Sequence, residues 1–186
     1  MNTSRMRRLG AGLLGATALI LTTSFATPVL AAGSDSSAKP VQIKAMGKVT
    51  KRPIPRYVSM KASEGNVRRG PSLSHRIDWV FKRRDMPLRI TAEHGHWRRV
   101  EDRDGMGGWV HYSLLSGTRT VLIEKDMLTL HARPMAKAPV TAALELGVVA
   151  RVSECAQEWC LLRSGGFKGW APKARLWGVR ALEEFD

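Results

Sequence analysis

One tryptophan pattern runs through this chain twice. Trp97 precedes Gly108-Trp109-Val110, which leads into Tyr112-Ser113-Leu114-Leu115. Trp159 precedes Gly169-Trp170-Ala171, which leads into Pro172-Lys173-Ala174-Arg175-Leu176. Upstream, Asn66-Val67-Arg68-Arg69-Gly70-Pro71 is matched by Thr129-Leu130-His131-Ala132-Arg133-Pro134. The offset is 63 residues at the prolines, 62 at the first tryptophans and 61 at the second. Small hairpin insertions produce such a drift, so the chain holds two copies of a module of about sixty residues. A module of that size is a binding scaffold more often than an enzyme.

Within each copy the apolar residues alternate. Leu88, Ile90 and Ala92 share one strand face with Arg89 and Thr91 on the other. Glu93-His94-Gly95-His96 and Asp102-Arg103-Asp104-Gly105 are turn signals between strands. Val148–Val152, Trp159–Arg163, Ser164-Gly165-Gly166 and Lys168–Ala171 retrace this course. Short strands with frequent turns predict an all-β chain of two tandem small antiparallel barrels, residues 57–117 and 118–180. One such barrel is marginal alone, so the copies are expected to pack together. An acidic tail, residues 181–186, follows.

The N-terminus reads as an address. Arg5, Arg7 and Arg8 precede an apolar run from Leu9 to Leu21, and Val29-Leu30-Ala31 fits a signal-peptidase site. The rival is a retained anchor, but Thr22, Thr23, Ser24 and Pro28 leave the run short for a spanning helix. Residues 1–31 are therefore expected to be a cleaved signal peptide, with no transmembrane segment afterwards and a periplasmic product. Cleavage removes three arginines and takes the formal charge from +14 to +11. Residues 32–56 hold Lys39, Lys44, Lys48, Lys51, Arg52 and Arg56 against Asp35, with few large apolar side chains. They are expected to form a disordered basic linker attracted to anionic envelope surfaces. Nucleic acid is not an expected physiological ligand in that compartment.

The set Asn66-Val67-Arg68-Arg69-Gly70-Pro71-Ser72, Trp97-Arg98-Arg99-Val100 and Gly108-Trp109-Val110 resembles the bacterial SH3 (SH3b) family. The second copy is similar through Arg133-Pro134, Cys155, Trp159-Cys160, Gly169-Trp170 and Leu176-Trp177-Gly178. The arrangement looks most like tandem SH3 proteins exported by Gram-negative bacteria. The resemblance implies a non-catalytic module of the cell envelope that recognises peptidoglycan peptide or an extended protein segment. The alternative is a periplasmic structural or adaptor protein that binds another exported protein and not the cell wall.

Repetition marks Trp109 and Trp170 as core or barrel-closing aromatics. Trp97 and Trp159, each beside a turn, are expected to be partly exposed. The copies differ at Trp79, where the second offers only Ala142-Ala143-Leu144, and at Tyr112, matched by Lys173. Trp79 has two readings: a peptide groove with Tyr112, Trp97, Arg68, Arg69 and Arg76, or a filler of the seam between barrels. Lys82-Arg83-Arg84 and Arg98-Arg99 are solvated faces or grips for an anionic polymer. No metal or cofactor is expected, because His94-Gly95-His96 is a turn without a third ligand. No room remains outside the barrels for a catalytic domain, so no enzyme activity is expected.

Cys155 and Cys160 are the chain's two cysteines. In an exported chain they are expected to form a structural disulfide across a hairpin rather than a redox pair. Closing so small a loop stabilises the fold by about 2 kcal/mol. Thiol titration of the denatured, unreduced chain is expected to find no free thiol; two free thiols would remove the disulfide.

Overall fold

The computed structural model describes residues 45–185. A short hairpin, β1 (Ala45–Met46) with β2 (Pro53–Ile54), precedes the first barrel. That barrel comprises β3 (Arg56–Met60), β4 (Gly65–Arg68), β5 (Ile77–Phe81), β6 (Pro87–His94), β7 (Trp97–Glu101), β8 (Gly107–His111) and β9 (Leu115–Ser116). The second comprises β10 (Thr120–Ile123), β11 (Leu128–His131), β12 (Val140–Leu144), β13 (Val149–Ala156), β14 (Trp159–Ser164), β15 (Phe167–Pro172) and β16 (Leu176–Trp177). The strand orders are β5-β4-β8-β7-β6-β3-β9 and β12-β11-β15-β14-β13-β10-β16. A single 3-10 turn, Tyr112–Leu114 or Lys173–Arg175, precedes the last strand of each. The two orders superpose strand for strand, as the duplicated sequence requires.

Each barrel has its own core. Met60, Val67, Leu88, Ile90, Val100 and Val110 fill the first. Val121, Ile123, Leu130, Ala150, Leu162 and Ala171 fill the second. Trp109 and Trp170 join neither core and remain partly exposed. Their backbones nonetheless close the barrels, because Arg68 pairs with Trp109 and His131 with Trp170. The preceding glycines make this closure possible. A Cβ on Gly108 would lie 2.6 Å from the Arg68 carbonyl oxygen, and one on Gly169 would lie 2.8 Å from Leu130 Cβ. The Gly-Trp pairs are thus crossing points, not core anchors.

Position 93 in β6 corresponds to position 155 in β13, and position 98 to position 160. In the second barrel these are Cys155 and Cys160, which face each other and are bonded, with Cα atoms 4.1 Å apart. In the first barrel the same pair is Glu93 and Arg98, both buried. Arg98 donates to the carbonyls of Gly95 and Trp97, and its Nε lies 3.7 Å from Glu93. An anionic polymer cannot use Arg98, because its guanidinium is consumed inside the fold.

The Glu93 carboxylate also receives the segment upstream. Val49 N and Thr50 N donate to Oε2 at 3.0 and 2.8 Å, while Thr50 Oγ1 and Arg56 Nη2 donate to Oε1 at 2.6 Å. The disordered linker expected over 32–56 is therefore corrected for its described part. Residues 45–56 form an ordered hairpin, because one buried carboxylate satisfies backbone donors that composition alone gives no partner. Residues 32–44, like the expected signal peptide 1–31, lie outside the described residues.

The acidic end is bound in the equivalent place. Phe185 pairs with Cys155 in both directions, N to O, at 2.7 and 3.0 Å. Arg119 donates to both oxygens of Glu183 at 2.7 and 3.0 Å, and its guanidinium lies 5.0 Å from the Phe185 ring centroid. Lys173 is buried and donates from Nζ to the carbonyls of Gln157 and Glu183. Each barrel is thus laced by one described end of the chain.

The seam between barrels does not use Trp79. Tyr57 meets Trp177 edge to face at 5.4 Å, Arg103 pairs with Glu124 at 2.9 Å, and Arg151 pairs with Asp85 at 3.0 Å. Thr120 Oγ1 donates to the Asp85 carbonyl at 2.8 Å, and Arg83 donates to that of Gly147 at 3.0 Å. A double-mutant cycle on Tyr57→Ala and Trp177→Ala is expected to give a coupling of roughly 1 kcal/mol in unfolding free energy. Additive effects would remove the contact from the seam.

Burial by itself would raise the pKa of Glu93, but the bonds from Thr50, Arg56 and Val49 outweigh it and hold the group at about 2. Against an ordinary value of 4.5, that shift corresponds to roughly 3 kcal/mol of stability. The folded pKa is the lower one, so this stability is complete above pH 4.5 and fades as pH falls towards 2. Thermal unfolding followed against pH is expected to show that loss. Glu93→Gln should lower the midpoint at pH 7 and flatten part of the acid slope.

Candidate functional site

β7 and β8 bring Trp97 opposite His111, and β4 joins β8 at Arg68. Strand alternation puts Val67 and Val110 inside and turns Trp97, His111 and Asn66 to the outer face. With Glu64, Arg68, Leu73 and Leu114 they line an open cleft of about 260 Å³. Arg68 reaches across one side and donates from Nη1 to the carbonyls of Leu73 at 2.9 Å and His75 at 2.7 Å. That arginine therefore fixes the loop between β4 and β5 while its chain forms part of the wall.

An aromatic rim adjoins the cleft. Tyr112, 49% exposed, lies 4.9 Å from the His111 ring and 5.6 Å from the His96 ring. Trp97 meets His111 edge to face at 5.6 Å. Behind the rim, the Arg98 guanidinium stands 5.9 Å from the Tyr112 centroid. His111 Nδ1 lies 2.7 Å from Ser113 Oγ, which holds the imidazole at the start of the turn. Such a site offers flat apolar faces, imidazole nitrogens and the Arg68 side chain in its wall, a mixture suited to a peptide-like ligand with both apolar and polar groups. Among the described residues no group of three or more His, Cys, Asp or Glu side chains is arranged to hold a metal ion.

The remaining expected site residues are distributed elsewhere. Arg69 and Arg76 both grip Asp78, at 3.1 and 2.8 Å, and hold its carboxyl below the ordinary range chiefly through the Arg76 bond. Trp79 pairs in register with the core residue Val67, so it takes the inner face at the open rim of the sheet, 45% exposed. The structure brings Arg68 and Trp97 together at the cleft, with Tyr112 on its rim. It does not bring Trp79 to that wall.

The second copy builds this region differently. His131, the counterpart of Arg68, is buried, and its Nδ1 donates to the Ala138 carbonyl at 2.9 Å. Trp159 stands edge-on to it at 5.6 Å. Pro172 replaces His111 opposite Trp159, and Lys173 points into the C-terminal lacing where Tyr112 is exposed.

Two stretches, residues 61–117 and 124–178, match the bacterial SH3 domain family. The chain belongs to that family. No curated protein matches the sequence. Among solved structures, the chain is similar to NlpC2 and NlpC1 from Trichomonas vaginalis, each at 10% identity and a TM-score of 0.31 over 66% of this chain. It spans 48% and 45% of those chains, about half their length.

The two bacterial SH3 domains share a frame and differ at the cleft. Sequence comparison between copies flags Tyr112 and Arg68, since both change identity. It misses His111, His96 and Leu114, whose roles depend on which strands become neighbours. The signal for His111 was its place directly after Gly-Trp-Val, opposite a proline in the second copy.

Proposed function

We propose that the tandem bacterial SH3 domains form a non-catalytic binding module of the cell envelope, whose first domain takes an extended peptide segment. Peptidoglycan peptide is the ligand this reading favours. One observation carries it: the first domain keeps an open cleft with Trp97, His111 and Arg68 beside an exposed Tyr112. The second-domain counterparts of Arg68 and Tyr112, His131 and Lys173, are buried and hydrogen-bonded within the fold. Ligand recognition therefore belongs to the first domain, and the second braces it across the seam.

Export to the periplasm is part of the same proposal. The apolar, arginine-led residues 1–31 support it. So does the Cys155–Cys160 disulfide, a bond characteristic of oxidising compartments. Lys48, Lys51 and Arg52 are exposed on the N-terminal hairpin and add attraction to an anionic envelope.

Retention on purified sacculi tests the reading. The chain is expected to bind, and Trp97→Ala to weaken binding roughly tenfold, as loss of a central aromatic contact does. Raised salt should weaken binding only in part, since screening acts on the basic surface more than on the cleft. No retention at any ionic strength, with one exported protein captured by crosslinking, would replace the cell-wall ligand by an adaptor role.

A further inference from the structure

β5 ends the sheet of the first domain. It pairs with β4 alone, and among the described residues no other segment bonds the backbone of Ile77–Phe81. Such an edge presents free N–H and C=O groups and is a template for an added strand. It is apolar as well: Ile77, Trp79 and Val80 are 41%, 45% and 40% exposed. Its flanks are basic, with Arg76 on one side and Lys82-Arg83-Arg84 on the other. Between them Asp78 is the sole acid, and Arg69 and Arg76 already hold it.

We propose that this edge accepts an extended strand from a partner protein, apolar along its middle and acidic at both ends. Charge decides against a second copy of the chain as the occupant. Two β5 strands pairing antiparallel about Trp79 would set Arg76 against Lys82 at each end. Like charges directly opposite are destabilising, whereas an acidic-ended strand turns both positions into favourable pairs. The equivalent edge, β12, lacks this character. Ala142 and Ala143 replace Trp79 and Val80, and Pro139 and Glu145 replace Arg76 and Lys82. The docking edge is thus specific to the first domain. It is also distinct from the cleft: Asn66 and Arg68 of β4 line the cleft, and the unpaired backbone edge of β5 faces away from β4.

Two seven-residue peptides of alternating valine and threonine, one with glutamate at both ends and one with lysine, test the proposal on the full chain. At low salt the glutamate peptide is expected to protect the Ile77–Phe81 amides from hydrogen exchange and to bind roughly tenfold tighter than the lysine peptide. Lys82→Glu, at an exposed position, should reduce that preference to about threefold without moving the thermal midpoint. Trp97→Ala should leave it unchanged, so failure of the cell-wall reading and failure of this one are distinguishable. Equal binding of the two peptides, protection elsewhere, or β5 protection through self-association without peptide would each overturn the proposal.

Discussion

Closure of each barrel depends on the absence of a side chain at Gly108 and Gly169. The strand carrying Arg68 or His131 crosses so near these residues that a Cβ would collide with its backbone or its core side chain. A small antiparallel sheet must bend round to bury its inner face, and the crossing strands limit how tightly it can do so. Everything outside the crossing follows from this approach. Trp109 and Trp170 are held at the junction, Val110 and Ala171 point inward, and the next residues enter the 3-10 turn.

The two copies reach similar cohesion by different chemistry at one pair of positions. Cys155 and Cys160 join neighbouring strands covalently, and the freed edge of β13 binds the Phe185 backbone. Glu93 and Arg98 are buried charges at the same place, and buried charges must be surrounded by bonds. Arg98 finds carbonyls of its own turn, while Glu93 recruits the hairpin before the barrel. The disulfide leaves its neighbourhood apolar; the carboxylate demands donors and so orders a stretch of chain. Two substitutions at one facing pair of a duplicated frame thus accompany different ways of holding each described end of the chain.

The same logic separates scaffold from recognition. The repeated Gly-Trp pairs make the backbone crossings of both barrels. At two positions where the copies differ, 68/131 and 112/173, the second domain buries its residue. Arg68 and His131 both tie down the loop that follows, yet Arg68 does so along an open cleft and His131 from within. Tyr112 faces solvent, whereas Lys173 donates into the C-terminal lacing. On the proposed function, the duplicated chain keeps one copy for binding and uses the other as support.

By itself the sequence determined the all-β architecture of two tandem small barrels and the pairing of Cys155 with Cys160. These follow from strand periodicity, turn residues and hairpin spacing, which act over a few neighbouring positions. It also marked Arg68 and Tyr112, since comparing two copies exposes the positions that change identity, whereas Trp97, repeated as Trp159, stood out only by its place beside a turn. Only the tertiary structure decided where Trp79 goes, why Tyr57 and Trp177 hold the seam, and that residues 45–56 are ordered. Each of these depends on contacts between segments far apart in the chain. A carboxylate at 93 meeting amides at 49 and 50 leaves no local signature. The tryptophan pattern alone fixed the frame; which tryptophan faces solvent was set by strand register and by the neighbours that folding brings.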